Sequence, residues 1–208
     1  MYSYVLEFEL AQRGEEAKEY LADAVRSWPN LWEKIPGVTR TLMLCSAFGL
    51  GGTFTYAWRV DMNTLGTLSR IDQVMKSGEG GWRETRQEWF KARTARRGHM
   101  LRHLVGNEDH LRGEDGTDGA IHLILNGQSG ASTRLEDRLK TLQGVSGVVS
   151  AQALRPVLGS DDMGEQIWLR LEGLESLDSV AASDNQLTGD GRVFGEVREV
   201  DGALFVGA

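Results

Sequence analysis

The sequence predicts an α+β protein in which one order of elements, β-α-β-β-α-β, occurs twice. Residues 2–10 alternate between large apolar and mostly polar side chains, as expected of a strand with one buried face. Residues 38–48 and 53–60 are apolar and rich in β-forming residues, and they flank a glycine turn, which indicates an antiparallel hairpin. A weaker version of the same pattern returns about a hundred residues later.

The other elements of the first unit follow from helical periodicity and from the positions of glycine and proline. A helix begins near Glu15, where acidic residues suit its positive end, and Pro29 is expected to end or kink it. Two helical segments separated by glycines follow Asp61, and the second is expected to continue to Ala95. Residues 99–105 are expected to form the closing strand, which completes the ferredoxin-like order.

An acidic linker is expected between the two units. Residues 106–118 are rich in Gly, Asp and Glu and have almost no apolar side chains, which is typical of a connection between domains. A chain of 208 residues is long enough for one large domain or two small ones. The predicted organisation is a first ferredoxin-like repeat at 1–105, the linker at 106–118 and a second repeat at 119–208.

Two short matches relate the halves to each other. The corner PGV at 36–38 aligns with SGV at 146–148, and the strand TYAWRV at 55–60 aligns with QIWLRL at 166–171. Both matches fall at the same place in the element order, so an internal duplication is the simplest explanation. The predicted fold class is therefore α+β, with two ferredoxin-like (βαββαβ) repeats.

Composition and charge argue against several classes of function. The formal net charge is −7 and the pI is near 5.2, so the chain lacks the basic field of a general nucleic-acid-binding protein. No segment reaches the length of a membrane span, the N-terminus has no signal-peptide pattern, and a cytoplasmic location is expected. Cys45 is the single cysteine and is interpreted as a buried apolar residue, with a reactive thiol as the alternative.

A helix that ends in IPGV is followed by two strands, and another helix begins soon after the second, Trp-containing strand. This order of elements resembles that of the dimeric α+β barrel superfamily. The antibiotic-biosynthesis-monooxygenase-like families are the most similar members. The resemblance covers residues 2–105 and 119–206. It implies that the two repeats pack sheet to sheet as an internal pseudo-dimeric α+β barrel, and it leaves open a homodimer of the whole chain.

The same resemblance implies a ligand pocket between the sheet and the helices. Known members include cofactor-free oxygenases, haem-degrading enzymes, isomerases and dehydratases, and the fold alone does not select among them. Tyr56, Trp58, Trp82 and Trp89 are candidates for binding a hydrophobic or aromatic substrate together with Arg40, although core packing is the simpler role of the tryptophans. No cofactor and no metal site is predicted.

Two histidines of the closing strand are candidates for acid–base catalysis. His99 and His103 alternate in register and face the same way, although each alone is more simply a satisfied or surface histidine. In haem-degrading relatives a helical Trp precedes a haem-ligating His, and Trp89 and His99 have a similar spacing. His99 is expected on a strand, however, so haem chemistry is not favoured.

Residues 81–100 carry six basic side chains against two glutamates. They are interpreted as a solvated helix face that balances an otherwise acidic protein. A surface for an anionic or acidic ligand, or for nucleic acid, is the alternative. The glycine turn of the hairpin is not a phosphate loop, because no Lys-Ser/Thr pair follows it and no helix begins after it.

Two functions therefore remain open. The first is a small-molecule enzyme that resembles cofactor-independent monooxygenases or isomerases, with a hydrophobic or aromatic substrate and monooxygenase-like oxidoreductase chemistry. The second is a non-enzymatic ligand-binding or protein-interaction module with the same fold. A closed core without a cavity near Trp58 would argue against the enzyme, and a solvent-connected cavity lined by one His and two aromatic residues would argue against the module.

Overall fold

A computed structural model describes residues 1–106, 121–126, 132–159, 164–184, 191–200 and 203–206. The strands are β1 (Tyr2–Leu10), β2 (Val38–Ser46), β3 (Tyr56–Met62), β4 (Arg93–Gly106), β5 (Ile121–Asn126), β6 (Val148–Leu158), β7 (Gln166–Leu171), β8 (Arg192–Val200) and β9 (Ala203–Val206). The helices are α1 (Glu15–Trp32), α2 (Thr67–Ser77), α3 (Trp82–Ala92), α4 (Ser132–Gln143) and α5 (Ser176–Ser183). A short 3-10 turn, Glu79–Gly81, joins α2 to α3.

Within the described ranges, eight antiparallel strands close into a barrel. Their order is β2-β3-β1-β4-β6-β7-β5-β8, and pairing between β2 and β8 closes the ring. The first four strands of the ring come from the first half of the chain and the last four from the second half. β4 and β6 form the other junction between the halves. Closure leaves none of these eight strands with a free edge.

Strict alternation along the strands creates one outer and one inner face. On β1, Leu6 and Phe8 point outward into a core formed with the helices of the first half, whereas Val5 belongs to a cluster inside the barrel. Glu7 is also buried, with 4% of its surface exposed. The sequence predicts one buried face for β1, but the opposite face is buried at Glu7 too, because the closed barrel covers it.

The apolar residues form three clusters that match this geometry. One lies between the first-half strands and α1 to α3, a second lies between the second-half strands and their helices, and a third fills the middle of the barrel. The third cluster consists of Val5, Leu44, Ala57, Leu101, Ile124, Leu154, Trp168 and Phe194. Polar and charged residues occupy other inward positions of the same strands.

α1 continues past its proline. Pro29 lies inside the last turns of the helix, which ends at Trp32, and the N–H of Glu33 bonds to the carbonyl of Pro29. The helix persists because Trp28 and Trp32, four residues apart, are both buried against the first-half core. The extra turn brings Trp32 over the sheet.

The structure corrects the boundary between α3 and the closing strand. α3 ends at Ala92, and Arg93 already has an extended backbone with φ −107° and ψ 140°. β4 pairs with β1 from the position where Leu10 lies opposite Arg93. The prediction that helix continues to Ala95 is wrong, because strand pairing overrides weak local propensity. The basic residues after α3 therefore lie on a strand.

Most other predicted elements are present with shifted ends. The hairpin predicted at 38–48 and 53–60 is formed by β2 and β3. Apart from Gly106, the predicted linker at 106–118 lies outside the described residues. Among the helices described, none combines the length and the hydropathy needed to cross a membrane.

Candidate functional site

A cavity of about 690 Å³ lies between the outer face of the first-half strands and helices α1 to α3. Its floor comes from β1, β3 and β4, and its walls come from the three helices. Five of the six tryptophans of the chain line it. The aromatic lining residues are Tyr4, Trp28, Trp32, Trp58, Trp82, Trp89 and Phe90. Its volume is within the range usual for small-molecule sites.

The tryptophans hold one another in edge-to-face contacts. The ring centroid of Trp28 lies 5.0 Å from that of Trp58 and 4.5 Å from that of Trp89, with interplanar angles of 90° and 85°. Trp32 and Trp82 are related in the same way at 5.2 Å and 80°. Such pairs contribute about 0.5–1.5 kcal/mol each beyond the area they bury. The wall of the cavity is therefore rigid and aromatic.

Trp58 also supplies an unused polar group. Only 2% of its surface is exposed, and its indole Nε1 is buried without a hydrogen-bond partner among the described residues. A buried indole N–H usually finds an acceptor, since leaving one unpaired costs about 1–3 kcal/mol.

The rim of the cavity is positively charged. The guanidinium of Arg93 lies 4.6 Å from the ring centroids of both Trp89 and Phe90, and that of Arg96 lies 5.8 Å from Phe90. Burial, with a smaller contribution from the charge of Arg96, lowers the pKa of Arg93 to about 10. The group stays cationic at neutral pH.

Three of the predicted binding residues meet at this cavity. Trp58, Trp82 and Trp89 all line it. Tyr56 lies on the same face of β3 but stacks on Phe8, with ring centroids 5.6 Å apart, and is not among the described lining residues.

Arg40, His99 and His103 are not among the lining residues either. The charges acting on Arg40 come from Asp61, Arg59, Glu196 and Arg170, which are themselves buried. His99 is 1% exposed, and its Nε2 lies 3.4 Å from Oε2 of the buried Glu7. The sheet therefore separates these polar candidates from the aromatic ones.

Inside the barrel, His103 belongs to a buried hydrogen-bond network. Ser3 Oγ donates to Asp61 Oδ1 at 2.5 Å, and Arg59 Nε donates to the same oxygen at 2.7 Å. Because the one hydroxyl proton of Ser3 is used, His103 Nε2, 2.6 Å from Ser3 Oγ, must be the donor of that bond. Burial and then the charge of Arg59 lower the pKa of His103 to about 4, so the imidazole is neutral.

Arg40 is the least satisfied cation of the barrel. Its Nη1 and Nη2 are buried without hydrogen-bond partners among the described residues. Burial lowers its pKa to about 10, although the charge of Asp61 opposes this shift. Within the described residues, Arg40 acts on Asp61, Arg59, Glu196 and Arg170 through its charge.

A second buried network was not predicted from the sequence. Trp168 Nε1 donates to His122 Nδ1 at 2.9 Å, so His122 Nε2, which carries the proton, donates to Glu196 Oε1 at 2.8 Å. Burial opposes ionisation of Glu196, but the hydrogen bond from His122 and nearby charges lower its pKa to about 2. Burial lowers the pKa of His122. The sequence contained one signal of this network. Trp168 alternates on β7 with apolar residues that point outward, which places Trp168 on the inner face of the strand.

The cavity offers no imidazole or thiolate to a haem iron, because the described lining residues include neither a histidine nor a cysteine. His99 follows Trp89 by the expected interval but is buried inside the barrel. Within the part of the chain that the structure describes, no group of three or more His, Cys, Asp or Glu side chains is arranged to hold a metal.

The chain resembles known proteins in its structure. No profile of a known protein family matches the sequence, and no curated protein matches it. Solved structures of the same architecture match over nearly the whole chain. The protein has the fold of the dimeric α+β barrel superfamily, with a closed eight-strand antiparallel barrel in the described residues.

Three of these structures illustrate the kinds of protein that share this fold. A provisionally assigned monooxygenase from Fusobacterium nucleatum is 10% identical, with a TM-score of 0.61 over 100% of this chain and 98% of that one. An anthrone oxidase-like protein is 11% identical, with a TM-score of 0.55 over 95% and 91%. Chlorite dismutase from Candidatus Nitrospira defluvii is 13% identical, with a TM-score of 0.54 over 96% and 92%. At these identities the likeness is one of fold.

Proposed function

We propose that the protein is a small-molecule enzyme that binds a hydrophobic or aromatic substrate in the tryptophan-lined cavity of its first half. The chemistry we propose is that of cofactor-independent monooxygenases or isomerases. The observation that carries the proposal is the cavity itself, because five tryptophans enclose about 690 Å³ instead of packing it shut. Support also comes from the fold shared with proteins described as monooxygenases and as anthrone oxidase-like.

The cavity would act on its substrate by holding a flat apolar body between aromatic walls and by excluding water. Water exclusion strengthens each hydrogen bond and charge interaction made there. The catalytic assignment of His99 and His103 stays a prediction, and in this geometry those residues could serve only chemistry inside the barrel.

A non-enzymatic ligand-binding or protein-interaction module is the second candidate. The absence of any imidazole or thiol among the described lining residues favours it, because these groups are the usual proton carriers at neutral pH. The homodimer, the cytoplasmic location and the lack of nucleic-acid and membrane partners also stay predictions.

A ligand screen tests the binding proposal. Aromatic compounds of one to four rings are titrated against the tryptophan fluorescence of the protein, and Thr85→Trp, a substitution in the cavity wall, should weaken binding by about tenfold or more. Gln87→Trp adds the same side chain to an exposed position of α3 and should bind like the wild type. Equal binding by both variants would place the ligands elsewhere.

Turnover separates the two candidates. Each compound that binds is incubated in air while oxygen uptake and the compound are followed. Consumption of oxygen, or isomerisation without it, supports the enzyme if Thr85→Trp abolishes the reaction. Recovery of every bound compound unchanged supports the binding module.

We also propose that the two halves are tandem ferredoxin-like repeats, at 1–105 and 119–208. Support comes from the strand orders β2-β3-β1-β4 and β6-β7-β5-β8, which are identical when strands are numbered within each half. The matched corner glycines, Gly37 and Gly147, both have positive φ, +99° and +82°. A Cβ at either would lie within 2.6 Å of a hydroxyl near the start of the following helix, that of Thr67 or Ser176.

A further inference from the structure

We propose that the cavity ligand is an aromatic anion, whose negative group pairs with Arg93 and Arg96 at the rim of the cavity. This inference rests on the proposed binding function and adds the chemical class of the ligand. It is carried by two features of the same cavity: a pair of guanidinium groups without a carboxylate partner among the described residues, and an excess of positive charge in the lining.

The two arginines have no anionic partner. Among the described residues, no carboxylate forms a salt bridge or a hydrogen bond with either side chain, although Arg93 is half-buried. The cation–π contacts with Trp89 and Phe90 hold the Arg93 guanidinium over the aromatic wall. Like charges held together at a partly buried site repel each other, and a bound anion would relieve that repulsion.

The other charged lining residues do not supply the missing anion. Asp72, the single carboxylate among the described lining residues, already pairs with Lys76 at 2.7 Å. Arg86 donates to the carbonyl of Met75 at 2.7 Å. The lining thus carries four cations against one carboxylate, on a protein whose formal net charge is −7. A positive cleft on an acidic protein attracts anions selectively.

Two fluorescent probes of nearly the same shape test the charge requirement. Anilinonaphthalene sulfonate is an aromatic anion, and phenylnaphthylamine is its neutral analogue. Wild-type protein should bind the anion about tenfold or more tightly than the neutral probe, as one charge-assisted contact would cause. Added salt should weaken the binding of the anion and leave that of the neutral probe almost unchanged.

Paired variants assign the effect to the rim. Arg93→Gln combined with Arg96→Gln should abolish the preference for the anion while the affinity for the neutral probe is retained. Arg102→Gln is the matched control, because Arg102 is exposed on the same strand but does not line the cavity. Thermal unfolding of each variant is measured first, so that dye binding to a loosened core is recognised.

The outcomes separate this inference from the proposed function. Equal binding of both probes to the wild type, or an unchanged preference in the double arginine variant, would overturn the anionic ligand and leave the apolar cavity standing. Failure of both probes to bind, or binding unaffected by Thr85→Trp, would overturn the cavity as a ligand site and the inference with it.

Discussion

Replacement of Asp61 by Asn should severely destabilise the protein, although the two side chains have almost the same shape. Asp61 is 2% exposed and lies inside the barrel. Its Oδ1 accepts from Arg59 Nε at 2.7 Å and from Ser3 Oγ at 2.5 Å. The charges of Arg59 and then Arg40 lower the pKa of Asp61 although burial opposes them. The substitution therefore leaves two buried guanidinium groups without this counter-charge.

The expected size follows from that geometry. Removing one partner of a buried ion pair costs about 3–5 kcal/mol, because the remaining charge stays desolvated. Such a loss is a large part of a total stability of about 5–15 kcal/mol. For a chain of this length it corresponds to a fall in melting temperature of about 6–20 °C.

Urea unfolding, followed by circular dichroism, gives the free energy of unfolding of each variant. Glu15→Gln is the control, because Glu15 forms an exposed pair with Lys18 on α1 and should leave stability unchanged. Arg59→Met combined with Asp61→Leu should recover only part of the loss, since it removes the paired charges but leaves Arg40 without the counter-charge of Asp61. The reasoning is refuted if Asp61→Asn is no more harmful than Glu15→Gln.

Three further predictions concern the barrel, a corner and the cavity floor. Burial lowers the pKa of His103 from 6.5 to about 4, so the unfolded chain binds a proton in that pH window that the folded chain does not. Stability should fall as the pH drops from 6.5 to 4, and His103→Gln should lessen the fall in urea titrations. Gly147→Ala should lower the free energy of unfolding by about 2 kcal/mol or more, because φ is +82° and the new Cβ would lie 2.2 Å from Ser176 Oγ. Gly49→Ala is the control: φ is +73° there but the space around the new Cβ is open, so the loss in the same assay should be smaller. Trp58→Phe should lower the free energy of unfolding by less than about 3 kcal/mol, because the lost N–H has no partner among the described residues and only the packing of the larger ring is lost; a greater loss would contradict this reasoning.

The elements of the fold were predictable because they depend on local pattern. The alternation of β1, the glycine turn of the central hairpin and the helical spacing of α1 each reflect which side of an element is buried. The largest error, at the start of β4, occurred where local pattern and pairing disagree. The stretch after Ala92 is basic and poor in apolar residues, and its local sequence is compatible with a helix. It forms a strand because it pairs with β1.

The candidate site was likewise only partly predictable from local sequence pattern. The family resemblance implied a pocket near Trp58, Trp82 and Trp89, and the cavity brings these three together. Sequence periodicity shows that neighbours on a strand face opposite sides, but it does not show what lies on each side. His99 and His103 were therefore assigned to the aromatic pocket, although they face the interior of a closed barrel.

By itself, the sequence determined that this chain is an α+β protein of repeated strand-helix-strand order with an aromatic face on its first sheet. Hydrophobic periodicity and turn residues are local, and they are enough for that conclusion. The tertiary structure decided that the sheet closes into a barrel. Closure buries Glu7, Arg59 and Asp61, so these charged side chains belong to the interior of the barrel and not to its solvent-exposed surface. The tertiary structure also decided that Arg93 leaves the helix and reaches the rim of a cavity. Both outcomes depend on contacts between residues distant along the chain, which no local pattern records.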